Sequence, residues 1–190
     1  MTTDTATPNT KAELLADVVE HVDITQYDAR PVIDSMRKMS FSSRDTARAA
    51  DILSMAIEDK ACSVWLTLAG STSAAGCMHV YRDMIRFGMI DAVCATGASI
   101  IDMDFFEALG FKHYQAKADV DDRDLRALYI DRIYDTYIDE EELQACDHAI
   151  KEIADGLEPG PYSSRAFIHE IGKWLAAGNA KKSATESMVT

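Results

Sequence analysis

Residues 61–99, ACSVWLTLAGSTSAAGCMHVYRDMIRFGMIDAVCATGAS, pass from an apolar run to a loop of small residues, then through a helical pattern to a second run and a second small-residue loop. CSVWLTL is short, nearly continuous in apolar residues and contains a β-branched member, the pattern of a strand covered on both faces. Residues 76–88 place Met78, Tyr81, Met84, Ile85 and Phe87 near helical spacing, with Arg82, Asp83 and Arg86 between them, and Gly88 closes that helix. MIDAVCAT reads as the second strand. Strand, helix and strand make a βαβ unit, whose crossover is right-handed. IIDMDFFEALGF adds a further helix closed by Gly110. The predicted fold class is α/β: a Rossmann-like, mainly parallel sheet flanked by helices.

The rest of the chain divides around this unit. Residues 1–10 are polar and Thr-rich and read as a flexible tail. Residues 11–60 read as N-terminal helices. Leu14, Leu15, Val18 and Val19 recur at helical spacing, Pro31 opens a second segment, and residues 43–60 form an amphipathic pattern through Ala47, Ala50, Leu53 and Ile57. Residues 61–180 form the α/β unit. Within it, KADVDDRD reads as a solvated acidic loop and RIYDTYI as a short exposed strand or an extended connection. DEEELQACDHAIKEIADGL reads as a helix with acids in its first turn, and Ser163 or Ser164 caps a last helix, RAFIHEIGKWLAAG. Residues 181–190 read as a C-terminal tail.

Charge and cysteine usage exclude several classes. With 190 residues and a formal charge of -13, the chain lacks the basic face that nucleic-acid binding requires. No apolar stretch reaches the roughly 18 residues of a membrane span, and the N-terminus lacks a secretory pattern. Cys62, Cys77, Cys94 and Cys146 show no CxxC and no framework spacing, so free thiols and a cytoplasmic location are expected. Cys77 with His79 and Cys146 with His148 are pairs two residues apart, which on a helix point about 200° apart and cannot chelate a metal. His113 and His169 are candidate bases, but each stands among aromatic or apolar residues that suit a structural role. No nucleophile triad can be assembled.

The two small-residue loops carry the chemistry. In an open α/β sheet, ligands settle at the carboxyl ends of strands, where loops lead into helices. Gly70 and Gly76 permit a tight turn and close backbone approach. Ser71, Thr72 and Ser73 offer hydroxyls, and the N–H groups opening the next helix suit phosphate. A nucleotide across the sheet edge fits this pattern, and so do loops made small only for close helix packing. Neither GxGxxG nor GxxxxGK[ST] is present.

LTLAGSTSAAG, RDMIRFGMIDAVCATGASIIDMDFFEALGFKHYQ, RIYDTYIDEEEL and FIHEIGKWL, in that order, resemble the deoxyhypusine synthase family, its prokaryotic branch in particular, from about Lys60 to Trp174. The resemblance implies a homotetramer with active sites at dimer interfaces. It implies NAD as cofactor and spermidine as substrate, with the aminobutyl group held as an imine on a lysine and passed to a protein lysine or a small amine such as putrescine, which gives homospermidine. By the same resemblance, the first NAD loop is Gly70, Ser71, Thr72, Ser73 and Ala74, and the second is Thr96, Gly97 and Ala98. Asp102 matches an acidic position near both NAD and the polyamine, and Ile101 stands beside it where the family is often acidic. Gly70 and Ala74 replace serines of eukaryotic members.

Members of that family are longer, and their second half carries the catalytic lysine loop, a polyamine-binding histidine and further NAD contacts. Lys173, Lys181 and Lys182 match no such context, so the chain resembles an amino-terminal half that needs a second polypeptide carrying the lysine. Two other readings stay open: a non-catalytic relative that binds and stabilises another family member, and an unrelated nucleotide-binding α/β domain. The truncated sheet of a half-domain would expose a strand edge and apolar helix faces, giving a chain that is poorly soluble or tightly associated.

Overall fold

The computed structural model describes residues 10–181 and 186–190. The expected tail at 1–10 therefore lies, Thr10 apart, outside the described residues.

The βαβ unit forms as its pattern requires. β1 (Trp65–Leu68) and β2 (Ala92–Ala95) pair in parallel, with Trp65 opposite Ala92 and Leu68 opposite Ala95. Between them a π-helical turn (Ser73–Cys77) breaks at Gly76, φ 92°, before helix α4 (Met78–Arg86), and Gly88 at φ 63° turns the chain back. After β2 a wide helix over Ala98–Phe105 tightens into α5 (Phe106–Ala108), and Gly110 at φ 100° ends it.

The sheet is not mainly parallel. Parallel pairing among the described residues is confined to β1 and β2, and the second sheet is antiparallel. Its strands β3 (His113–Gln115), β4 (Ile130–Ile133) and β5 (Thr136–Asp139) run in the order β3-β5-β4. RIYDTYI is a hairpin: Tyr134 at φ 55° and Asp135 turn the chain so that Ile133 faces Thr136. The acidic loop is partly helical too, because the Asp121 side chain caps α6 (Asp122–Ala127) by accepting from the Arg123 N–H.

Helix α2 (Arg30–Met36) has proline in its first turn, and α3 (Phe41–Glu58) packs along it. The helical spacing of Leu14 to Val19 does not produce one helix. α1 stops at Leu14 (Lys11–Leu14), and the following residues run extended because Val18 bridges Tyr114 beside β3. Long-range pairing within the chain overrides the local periodicity.

Helices α7 (Glu140–Asp155) and α8 (Ser164–Trp174) complete the core. Asp139 caps α7 and Ser163 caps α8, each through a side-chain oxygen accepting a backbone N–H. Phe105, Phe106, Ile138, Cys146, Ile153, Ile171 and Leu175 form the main core, and Leu14, Leu125, Ile130 and Tyr137 a smaller one beneath the antiparallel sheet. The end of the chain joins the main core through Val189, next to Gly172, where an added Cβ would meet the Val189 carbonyl.

β1 and β2 remain sparsely covered. Trp65, Thr67, Val93 and Cys94 are exposed, so the expectation of a strand buried on both faces fails within this chain. No helix of the described residues is long and apolar enough to cross a membrane.

Candidate functional site

Parallel pairing of β1 with β2 brings their carboxyl ends, and both small-residue loops, side by side. The Thr96 N–H donates to the Leu68 carbonyl at 3.2 Å, continuing the ladder past the strand ends. The Ser99 hydroxyl lies 3.4 Å from the Gly70 carbonyl oxygen and 3.2 Å from the Thr96 hydroxyl, so one buried serine links the two loops. Sequence reasoning passed over Ser99, since nothing local marks a serine that reaches a neighbouring loop.

Each predicted site residue has a definite place. Gly70 stands at φ 71° with no atom within 4 Å of where a Cβ would lie, and Gly97 also faces open space. Ser71 is half-buried, and the Thr72 hydroxyl accepts from the Tyr81 hydroxyl at 2.7 Å. Ser73 and Ala74 are buried, backbone included, so in this chain they serve the packing of the loop. Thr96, Gly97 and Ala98 are exposed at the second loop. Neither Gly70 nor Gly97 has an atom within 4 Å of where a Cβ would lie, and the hydroxyls of Ser71, Thr72 and Thr96 belong to the same two loops.

Asp102 projects from the first turns of the helix that follows the second loop. Its carboxyl is pushed up from the ordinary range, first by burial and then by the charge of Asp147 on α7. Two carboxylates from different helices thus share one neighbourhood, which suits a cation. Asp147 was not legible beforehand, because only the packing of α7 on residues 98–105 brings it there. Beside them Ile101 is half-buried, and its carbonyl accepts from the buried Cys146 thiol at 3.5 Å. Burial, then Asp102 and Asp147, push that thiol up to about 12, so it is no nucleophile.

The remaining candidates lie elsewhere. His113 is fully buried and bonds Glu107, whereas His169 is exposed on α8. Lys173 pairs with Glu170, and Lys181 extends over the ring of Phe111. Lys182 falls outside the described residues. Among the described residues, no group of three or more His, Cys, Asp or Glu side chains is arranged to hold a metal ion.

Comparison with known proteins bears on this geometry. The family model for deoxyhypusine synthase matches residues 31–189. The chain is 79% identical over 174 residues to a deoxyhypusine synthase-like protein of Caulobacter vibrioides, an alignment covering 92% of this chain and 47% of the relative. It is 63% identical over 182 residues to the like-named protein of Coxiella burnetii (strain RSA 493 / Nine Mile phase I), covering 96% of this chain and 51% of that one. The chain therefore spans about half the length of these curated relatives. Its fold is similar to that of a solved Entamoeba histolytica chain assigned to deoxyhypusine synthase, with a TM-score of 0.54 at 14% identity over 90% of this chain and 59% of that one.

Proposed function

This chain belongs to the deoxyhypusine synthase family, and from that premise we propose that it is the NAD-binding half of an aminobutyl transferase acting on spermidine. The observation that carries the reading is the contact between the loops after β1 and β2, with open space above Gly70 and Gly97. Residues 70–72 and 96–98 would hold the nucleotide, their backbone N–H groups suiting phosphate and the hydroxyls of Ser71, Thr72 and Thr96 suiting ribose, while Ser73 and Ala74 support the first loop from within. When bound, NAD supplies the hydride acceptor for oxidation of the carbon bearing the amine.

The work of this half is positioning. Asp102, with Asp147 behind it, holds an ammonium of the polyamine, and Ile101 flanks that group. A carboxylate near another carboxylate gains when a cation arrives, because one ammonium offsets both the cost of the partly buried charge and the repulsion. The lysine that receives the aminobutyl group comes from a second polypeptide corresponding to the rest of the relatives' length. The acceptor is a protein lysine or a small amine such as putrescine, and the assembly is a homo- or hetero-oligomer, tetramer-like, of cytoplasmic location.

The test mixes the full chain with a polypeptide corresponding to the remaining half of the Caulobacter vibrioides relative and follows NAD-dependent cleavage of spermidine. Cleavage by the mixture, and by neither part alone, is the expected result. Tight assembly without cleavage would instead favour a non-catalytic relative that stabilises other family members. No assembly and no NAD binding would overturn the proposal.

A further inference from the structure

The main core contains a buried acid between two buried imidazoles. Glu107 on α5 meets His21 Nε2 at 2.8 Å through one carboxylate oxygen and His113 Nδ1 at 2.8 Å through the other. The side chains are 5%, 5% and 0% exposed for His21, Glu107 and His113. His21 Nδ1 and His113 Nε2 are buried with no hydrogen-bond partner, so Glu107 is the polar anchor of both rings. Three ionisable groups sunk in a core cost more than an apolar trio of like volume unless their bonds do something further.

What these bonds hold is the extended segment 15–22. At one end it lies along β3, where the Gln115 N–H donates to the Asp17 carbonyl at 2.7 Å and the Val19 N–H to the His113 carbonyl at 2.9 Å. At the other end the Val22 N–H donates to the Gly76 carbonyl at 3.0 Å. Gly76 ends the first small-residue loop, and a Cβ there would sit 2.7 Å from the Glu20 carbonyl oxygen. The segment is a strap pressed against the base of that loop. His21 is its inward-pointing side chain, seated on the His79 ring of α4 with centroids 4.9 Å apart.

We propose that His21, Glu107 and His113 form a latch that positions the first loop: Glu107 holds the strap, and the strap fixes Gly76 and with it the conformation of residues 71–77. These three are positioning residues that touch no ligand. The link to affinity rests on the reading of that loop as a nucleotide site, while the link to loop order does not.

Hydrogen exchange of the full chain, read by mass spectrometry, tests the latch on the wild type, His21→Leu and His21→Gln. Leucine fills the space without a donor, whereas glutamine retains an N–H for Glu107. In His21→Leu, residues 15–22 should exchange faster and residues 71–77 should follow, although no strap group bonds the amides of 71–77 directly. His21→Gln should restore protection to both segments. A strap that opens while 71–77 stays protected, a strap that stays closed in His21→Leu, or glutamine behaving as leucine each overturns the proposal. NAD titration of the same proteins, with the complementary half present, should show several-fold weaker binding for His21→Leu. If the wild type binds no NAD, the nucleotide reading fails, and loop exchange still decides the latch.

Discussion

The Ser99 hydroxyl sits 3.4 Å from the Gly70 carbonyl oxygen, so the loop after β2 is tied to the loop after β1. Ser99 is buried, and removing its oxygen leaves Gly70 and Thr96 each without one partner. Ser99→Ala should cost about 1 kcal/mol of stability, the usual net worth of one hydrogen bond. NAD binding in the complemented protein should weaken by a similar energy. Urea denaturation and NAD titration check the two effects, and full retention of affinity would show that the tie does not shape the site.

Gly97 separates binding from folding more cleanly. Its backbone is right-handed helical, φ -53°, and an added Cβ would meet nothing within 4 Å. Gly97→Ala should therefore be neutral or stabilising by up to about 1 kcal/mol, through reduced freedom of the unfolded chain. If the open space above it receives the nucleotide, the same methyl should lower NAD affinity. Thermal unfolding should show stability held or raised while NAD titration shows affinity lost; unchanged affinity would remove Gly97 from the site.

Asp104 sets a pH dependence. Burial pushes its carboxyl up to about 6, although the Ser187 hydroxyl at 2.6 Å and the N–H groups of Met188 and Val189 favour the carboxylate. In the unfolded chain an aspartate titrates near 3.9. Between these values the folded protein holds a proton that the unfolded chain has released. The contribution of this group is therefore full below about pH 4 and is lost as pH rises through about 6, on the order of 3 kcal/mol in all. Asp104→Asn, which keeps an acceptor for Met188 and Val189, should flatten that slope and stabilise the protein at neutral pH. Denaturation midpoints across this range check it, and identical slopes for the two proteins would refute the assignment.

How much of this was readable in advance depended on the range of the interactions. The βαβ unit, the caps at Asp139 and Ser163 and the turns at Gly88 and Gly110 are local, and each carries its own residue signal. Both small-residue loops could be found for the same reason. The strap carries a helical signal because Val18 and Val19 fall at helical spacing, while their pairing partners in β3, Tyr114 and His113, lie far along the chain. The β4–β5 hairpin escaped because Tyr134 takes a positive φ without the Gly or Asn that advertises such turns. Ser99, Asp147 and Glu107 gain their places only through tertiary contact.

Thiol reactivity should follow burial. Cys62 and Cys94 are exposed, whereas Cys146 is buried against the Ile101 carbonyl with its thiol pushed up to about 12. Alkylation of the native chain at neutral pH, mapped by peptide mass, should label Cys62 and Cys94 early and Cys146 only after denaturation. Equal rates would mean that α7 does not seat on residues 98–105 as described.

The bare parallel pair yields the last expectation. Trp65 is 67% exposed on β1, Val93 is exposed on β2 and Phe87 follows α4, so apolar surface is bare on and beside a two-stranded sheet with open edges. Such a surface drives association when it has no cover. The isolated chain should sediment with an average mass that rises with concentration, or fall out of solution. Adding the complementary half should suppress this, blue-shift and protect the Trp65 emission from aqueous quenchers, and slow alkylation of Cys94 relative to Cys62. A chain that stays monomeric and soluble, with Cys94 equally reactive in the mixture, would show that this face receives no second polypeptide.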